Sequence, residues 1–154
     1  KEKEKYRILI VGQIVNKKYY LKCLKKINNY GLNDNFIFLG VRNDIPLLLN
    51  SVDFALLTSR SESGPLVLIE YMASSVPFLS FEVGNISKRS KKHGIKGFVN
   101  PNDIKQFTIE LDRLIKMEKI DLNNRINKAK LKTNELFDID ISIPLWLKIY
   151  KEIL

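Results

Sequence analysis

The chain has 154 residues, 45% hydrophobic and 28% charged, ordinary proportions for one globular domain with a sizeable core. Lysines and arginines number 26 against 17 acids, so the net charge is +9, which favours an anionic partner such as a nucleotide phosphate, acidic lipid or nucleic acid. A single cysteine excludes an intrachain disulfide, and no apolar run reaches the length of a membrane span.

The opening Lys-Glu-Lys-Glu-Lys is not followed by an apolar stretch of the signal-peptide kind. Tyr6 to Gly12 is a short apolar run ending in glycine, a buried parallel strand by its pattern. Lys17 to Tyr30 has helical periodicity and Gly31 stops it. Within it Cys23 shares helical spacing with Tyr20, Leu24 and Ile27, which marks a core cysteine rather than a reactive thiol. Asn35 to Gly40 is a second strand, and Asp44 to Asn50 a short helix with Pro46 in its first turn. Val52 to Thr58 is a third strand. Pro65 to about Ser75 forms a helix, and Val76 to Phe81 a fourth strand that must hold Pro77 at its start. A short helix over Ile86 to His93 and a brief strand over Gly97 to Asn100 follow. Ile104, Phe107, Leu111, Leu114 and Ile115 make the apolar stripe of a helix from Asp103 to Lys119, capped by Asn102 or Asp103. Leu122 to Leu136 is another helix. Pro144 opens the last one, which carries Trp146, Ile149, Tyr150 and Ile153.

Strands alternating with helices predict an α/β fold: a Rossmann-like, doubly wound parallel sheet of about five strands with helices on both faces. Ligands of such sheets bind at the carboxyl ends of the strands. The stretch Glu62-Ser63-Gly64-Pro65-Leu66-Val67-Leu68-Ile69-Glu70-Tyr71 lies at one of those ends. It places Glu62 on a loop and Glu70, seven intervening residues later, inside a helix. The amides of Leu66 and Val67, in the first turn, have no partner within that helix and form a seat for a phosphate.

This arrangement resembles the Glu-x7-Glu motif of retaining glycosyltransferases with the GT-B fold, the group 1 or family 4-like enzymes. Phe36-Ile37-Phe38-Leu39-Gly40, Ser51-Val52-Asp53, Thr58-Ser59, Glu70-Tyr71-Met72-Ala73, Val76-Pro77, Val83-Gly84 and Gly97-Phe98-Val99 fall in that family's order and rough spacing. The resemblance runs from about Tyr6 to Leu154 and implies that residues 1–154 are the C-terminal, donor-binding domain. It implies Glu70 as the ribose ligand, Leu66 and Val67 N–H groups at the diphosphate, and Glu62, the catalytic-site acid, with Gly64 at the donor sugar. Val41 and Arg42 would lie along the base. It further implies a nucleotide diphosphate sugar as substrate, transfer with retention, no metal and no other cofactor.

Two departures stand out. Ser74-Ser75 replaces the glycine that the family usually has before the proline of the fourth strand, which alters a helix C-cap. The spacing from Gly12 to Gly40 matches the family's second unit, with Lys1–Lys5 as the tail of a preceding helix. The first strand and its two phosphate-gripping cations are then missing, and so is the N-terminal acceptor domain. An alternative alignment makes Tyr6–Gly12 the first strand, with Gln13 in place of the arginine and Lys17 or Lys18 as the lysine. The 154-residue chain is expected to show little or no transfer by itself.

Lys88, Arg89, Lys91, Lys92 and Lys96 form a basic stretch with no acid between them. It is either a solvated helix face or a peripheral contact with anionic membrane at the inner face of a cytoplasmic location. It lacks the interleaved aromatics that nucleic-acid binding needs. The sole histidine, His93, lies in this stretch, and neither a hydrolytic triad nor a zinc cluster is visible. A dinucleotide-binding domain should carry Gly-x-Gly-x-x-Gly after its first strand, and only Gly12 stands there. The remaining rival is a non-catalytic α/β interaction module with a basic membrane- or partner-binding surface.

Overall fold

The computed structural model describes residues 6–153, so the reading of Lys1–Lys5 as a helix tail lies outside the described residues. The chain forms two compact units, Lys1–Ile45 and Pro46–Leu154.

In the first unit, strand β1 (Ile8–Val11) pairs in parallel with β2 (Phe36–Gly40), Ile8 opposite Phe36 and Val11 opposite Gly40. The crossover is helix α1 (Lys17–Asn29). Asn16 caps it by accepting the Tyr19 N–H at 2.9 Å. Gly31, in the left-handed region at φ +60°, ends it, and the Leu32 N–H returns to the Ile27 carbonyl at 3.0 Å. Tyr20 meets Phe38 edge-on at 5.2 Å, which ties helix to strand. Cys23 is half-buried on α1, less enclosed than expected.

The second unit holds a three-stranded parallel sheet in the order β3 (Ala55–Leu57), β4 (Phe78–Phe81), β5 (Phe98–Val99). All four residues of β4 are buried because it is the middle strand. Leu79, Phe81, Val83, Val99, Phe107 and Leu114 make the core, with the Phe81 and Phe107 rings 4.8 Å apart. Helix α2 (Ile45–Asn50) precedes β3, α3 (Val67–Ala73) joins β3 to β4, and α4 (Gly84–Lys92) joins β4 to β5. Helix α5 (Ile104–Ile115) packs against β4, its cap Asp103 accepting the Gln106 N–H at 2.9 Å. Helix α6 (Lys119–Phe137) packs against α3, and α7 (Ile139–Ile153) follows.

The five parallel strands were expected in one sheet and stand in two. Among the described residues no strand joins β1 to β3. The pairings also separate the two alignments. A first strand is central in a doubly wound sheet and pairs on both sides. Were β1 that strand, β3 would pair with β2; it pairs with β4 instead. This favours β1 and β2 as the second and third strands of the order.

Other boundaries shift for local reasons. Helix α3 starts at Val67 because Pro65 and Leu66 form a turn ahead of it, with the Leu68 N–H on the Pro65 carbonyl at 3.1 Å. Helix α4 starts at Gly84, two residues early. Helix α7 starts five residues before Pro144, which sits inside it. There Asp138 does the starting, its carboxylate accepting the Asp140 N–H at 2.9 Å.

Candidate functional site

Strand β3 ends at Leu57, and the loop to α3 carries Glu62, Ser63 and Gly64 in solvent while Pro65 is buried. Burial of Pro65 anchors the loop's far end. Leu68 and Met72, almost wholly enclosed, anchor α3 itself. Their helical spacing turns Glu70 outward, and Glu70 is exposed. Neither the Glu62 nor the Glu70 carboxylate has a hydrogen bond or ion pair among the described residues. The Leu66 carbonyl accepts from Ile69 at 2.8 Å and from Glu70 at 3.2 Å, whereas the Leu66 and Val67 N–H groups donate to no backbone carbonyl among the described residues.

Beside Glu70, Tyr71 turns inward. Its hydroxyl donates to the Leu56 carbonyl at 3.4 Å, and its ring lies 6.4 Å from that of Phe78. Burial raises the phenol pKa above its ordinary value, and the neighbouring Glu70 charge raises it further. Sequence reasoning gave Tyr71 no role; a tyrosine at a buried helical position was the available signal.

Helix α4 also meets the loop: the Asn85 N–H donates to the Ser63 carbonyl at 2.9 Å. The sequence pattern Val83-Gly84 pointed at this place but not at its contact.

In the first unit, Val41 and Arg42 are exposed after β2. Arg42 makes two bonds to Asp44, Nε to Oδ1 at 2.8 Å and Nη2 to Oδ2 at 2.5 Å. That hydrogen bonding raises the Arg42 pKa and holds the Asp44 carboxyl below its usual range. The guanidinium charge is therefore already matched.

The basic stretch is partly spoken for. Lys91 forms an ion pair with Glu82, and the Arg89 guanidinium lies 5.3 Å over the Phe137 ring. Lys88, Lys92 and Lys96 stay exposed, as does His93. Two hollows with defined linings lie elsewhere in this unit: one beside Met72, Pro77 and Arg125, one of about 230 Å³ beside Arg89, Leu136 and Trp146. Glu62 and Glu70 line neither. Among the described residues no group of three or more His, Cys, Asp or Glu side chains stands together, and no helix is long and apolar enough to cross a membrane.

Parallel sheets flanked by helices, with two acids placed around a βα loop, define an α/β domain of the GT-B kind, and solved structures agree. A glycosyltransferase from Rickettsia africae ESF-5 matches with a TM-score of 0.83 at 22% identity, over 96% of this chain and 40% of that one. Anabaena Alr3699/HepE, solved in complex with UDP-glucose, matches at 0.80 and 23% identity, over 96% of this chain and 41% of that one. The family of glycosyl transferases group 1 matches residues 1–133, and the chain belongs to it. N-acetyl-alpha-D-glucosaminyl L-malate synthase of Bacillus anthracis is 28% identical over 149 residues, which are 96% of this chain and 38% of that protein. The chain thus spans about two fifths of the length of each of these three relatives.

Proposed function

We propose that residues 1–154 are the donor-binding domain of a retaining hexosyltransferase that uses a nucleotide diphosphate sugar. Family membership over residues 1–133, which contain both acids of the Glu-x7-Glu spacing, carries this reading. The Glu70 carboxylate supports it, since with no partner among the described residues it is available to both hydroxyls of a ribose. Glu62 and Gly64 face the donor sugar, Gly64 letting the backbone approach closely. The Leu66 and Val67 amides meet the diphosphate and stabilise it as it leaves, an electrostatic role that needs no metal. In the first unit, Val41 and Arg42 keep the role of base contact.

A glycan or lipid-linked acceptor binds on a companion domain, as it does in the family, and the isolated chain transfers little. Exposed Lys88, Lys92 and Lys96 form a peripheral contact with anionic lipid at the cytoplasmic side of a membrane.

Thermal-shift titration with UDP, GDP and ADP tests the donor site. One of the three is expected to stabilise the chain. Hydrogen bonds to a charged group contribute about 1.5–3 kcal/mol, so Glu70→Ala should weaken that binding by roughly ten- to a hundredfold. Indifference of the unaltered chain to every nucleoside diphosphate rejects the reading in favour of an idle interaction module.

A further inference from the structure

We infer that the start of α4 is the positioning device of the Glu62 loop, with Gly84 its required residue. Four observations converge on this. Gly84 sits at φ +72°, a left-handed conformation that side chains rarely adopt. A Cβ there would stand 2.8 Å from Pro65 Cδ, 2.8 Å from the Ser63 carbonyl oxygen and 3.0 Å from that of Glu62. Two of these three obstacles are backbone of the loop itself, which no rotamer change can clear. The next residue, Asn85, donates its N–H to the Ser63 carbonyl at 2.9 Å, so the helix both touches the loop and bonds it. A residue further on, Ile86 Cδ1 lies 3.9 Å from where a Gly64 Cβ would be.

The loop between Thr58 and Leu66 has few anchors of its own, since Glu62, Ser63 and Gly64 are exposed. Its geometry is therefore set from α4. Gly84 acts through the loop and not on the ligand itself, and its effect on donor binding rests on the donor-site reading above.

Gly97 supplies the control. It has φ +118°, and its Cβ would likewise stand 2.8 Å from a backbone oxygen, that of Phe78. Gly97→Ala therefore carries a comparable backbone penalty in the same unit, away from the loop. Asn85→Pro is the second variant. It removes the N–H bonded to Ser63 at a first-turn helical position, where the helix itself does not use that N–H.

Tryptic cleavage after Arg60, exposed at the start of the loop, reads positioning without any ligand. Gly84→Ala and Asn85→Pro are expected to speed it by about tenfold or more, Gly97→Ala to leave it near the unaltered rate. Equal cleavage rates at this bond for all three variants overturn the proposal. Binding then separates this inference from the reading it leans on. With UDP against UDP-glucose, and GDP against GDP-mannose, the two α4 variants should lose about fivefold or more of the preference for the sugar-bearing ligand, and Gly97→Ala should keep it. An unaltered chain that binds none of these ligands removes the donor-site reading, while the cleavage rates after Arg60 still decide whether α4 sets the loop.

Discussion

The Val76 N–H donates to the Tyr71 carbonyl at 3.0 Å, and the Ser75 N–H to that of Met72 at 3.2 Å, which closes the end of α3 as a Schellman motif. The motif needs a left-handed residue, and Ser75 occupies that place at φ +57°. A left-handed conformation costs an L-residue roughly 1–2 kcal/mol, and the greater freedom of glycine in the unfolded chain returns about 0.4–1 kcal/mol of that. Ser75→Gly should stabilise the second unit by about 0.5–1 kcal/mol. Urea unfolding followed by circular dichroism checks this. A loss of stability would mean that the Ser75 side chain makes up for its own backbone.

Local signals in the sequence were read well wherever they were self-contained. Gly31 ended α1 and Asp103 capped α5 as expected, because a cap depends only on residues a few positions away. Ser75 was placed at the right joint, though its left-handed backbone was not foreseen. Pro144 misled because proline is commonest in first turns, whereas the Asp138 carboxylate had already begun α7. The division of strands into two sheets is a matter of pairing partners, which no local pattern encodes. The acids of the candidate site were legible through their spacing. The hold of Gly84 and Asn85 on the loop was not, because it joins segments about 20 residues apart through backbone atoms.

Two serines of α4 make opposite cases. Ser87 Oγ donates to the Val83 carbonyl at 2.7 Å, with the Gly84 carbonyl at 3.0 Å, while the equally buried Ser90 Oγ has no partner among the described residues. A satisfied hydroxyl contributes about 0.5–1.5 kcal/mol, and an unsatisfied buried one costs about 1–3 kcal/mol. Ser87→Ala should therefore destabilise, and Ser90→Ala should leave stability unchanged or raise it by about 1 kcal/mol. Paired denaturation curves settle the contrast; a matching loss in both variants would indicate that Ser90 is bonded after all.

Tyr71 predicts a dependence on alkaline pH. Burial, then the Glu70 charge, raise its phenol pKa, so the fold favours the neutral form. For a raised folded-state pKa, the contribution to stability is fully present below the unfolded value, about 10, and is lost as pH rises through the folded value. Tyr71→Phe removes that titration and also the long 3.4 Å bond to Leu56. The stability of the unaltered chain minus that of Tyr71→Phe should be constant up to about pH 10 and fall above it. Lysines titrate in the same range but do so in both proteins, so the difference isolates Tyr71. A difference that stays flat to the alkaline limit of folding rejects the burial argument.

Glu62 provides the sharpest division of roles within the donor site. It is exposed on its loop and its carboxylate is unpaired among the described residues, so Glu62→Ala should change stability by less than about 0.5 kcal/mol. If Glu62 faces the sugar while Glu70 takes the ribose, the two substitutions act on different halves of one ligand. Glu62→Ala should leave the affinity for the nucleoside diphosphate within about twofold and lower that for the corresponding nucleotide sugar by roughly tenfold. Glu70→Ala should weaken both by the same factor, because each ligand carries the ribose. Calorimetric titration of the matched pair against both variants measures four affinities. An equal loss of both ligands on changing Glu62 would move that acid from the sugar to the diphosphate or nucleoside, and with it the geometry in which the transferred sugar is presented.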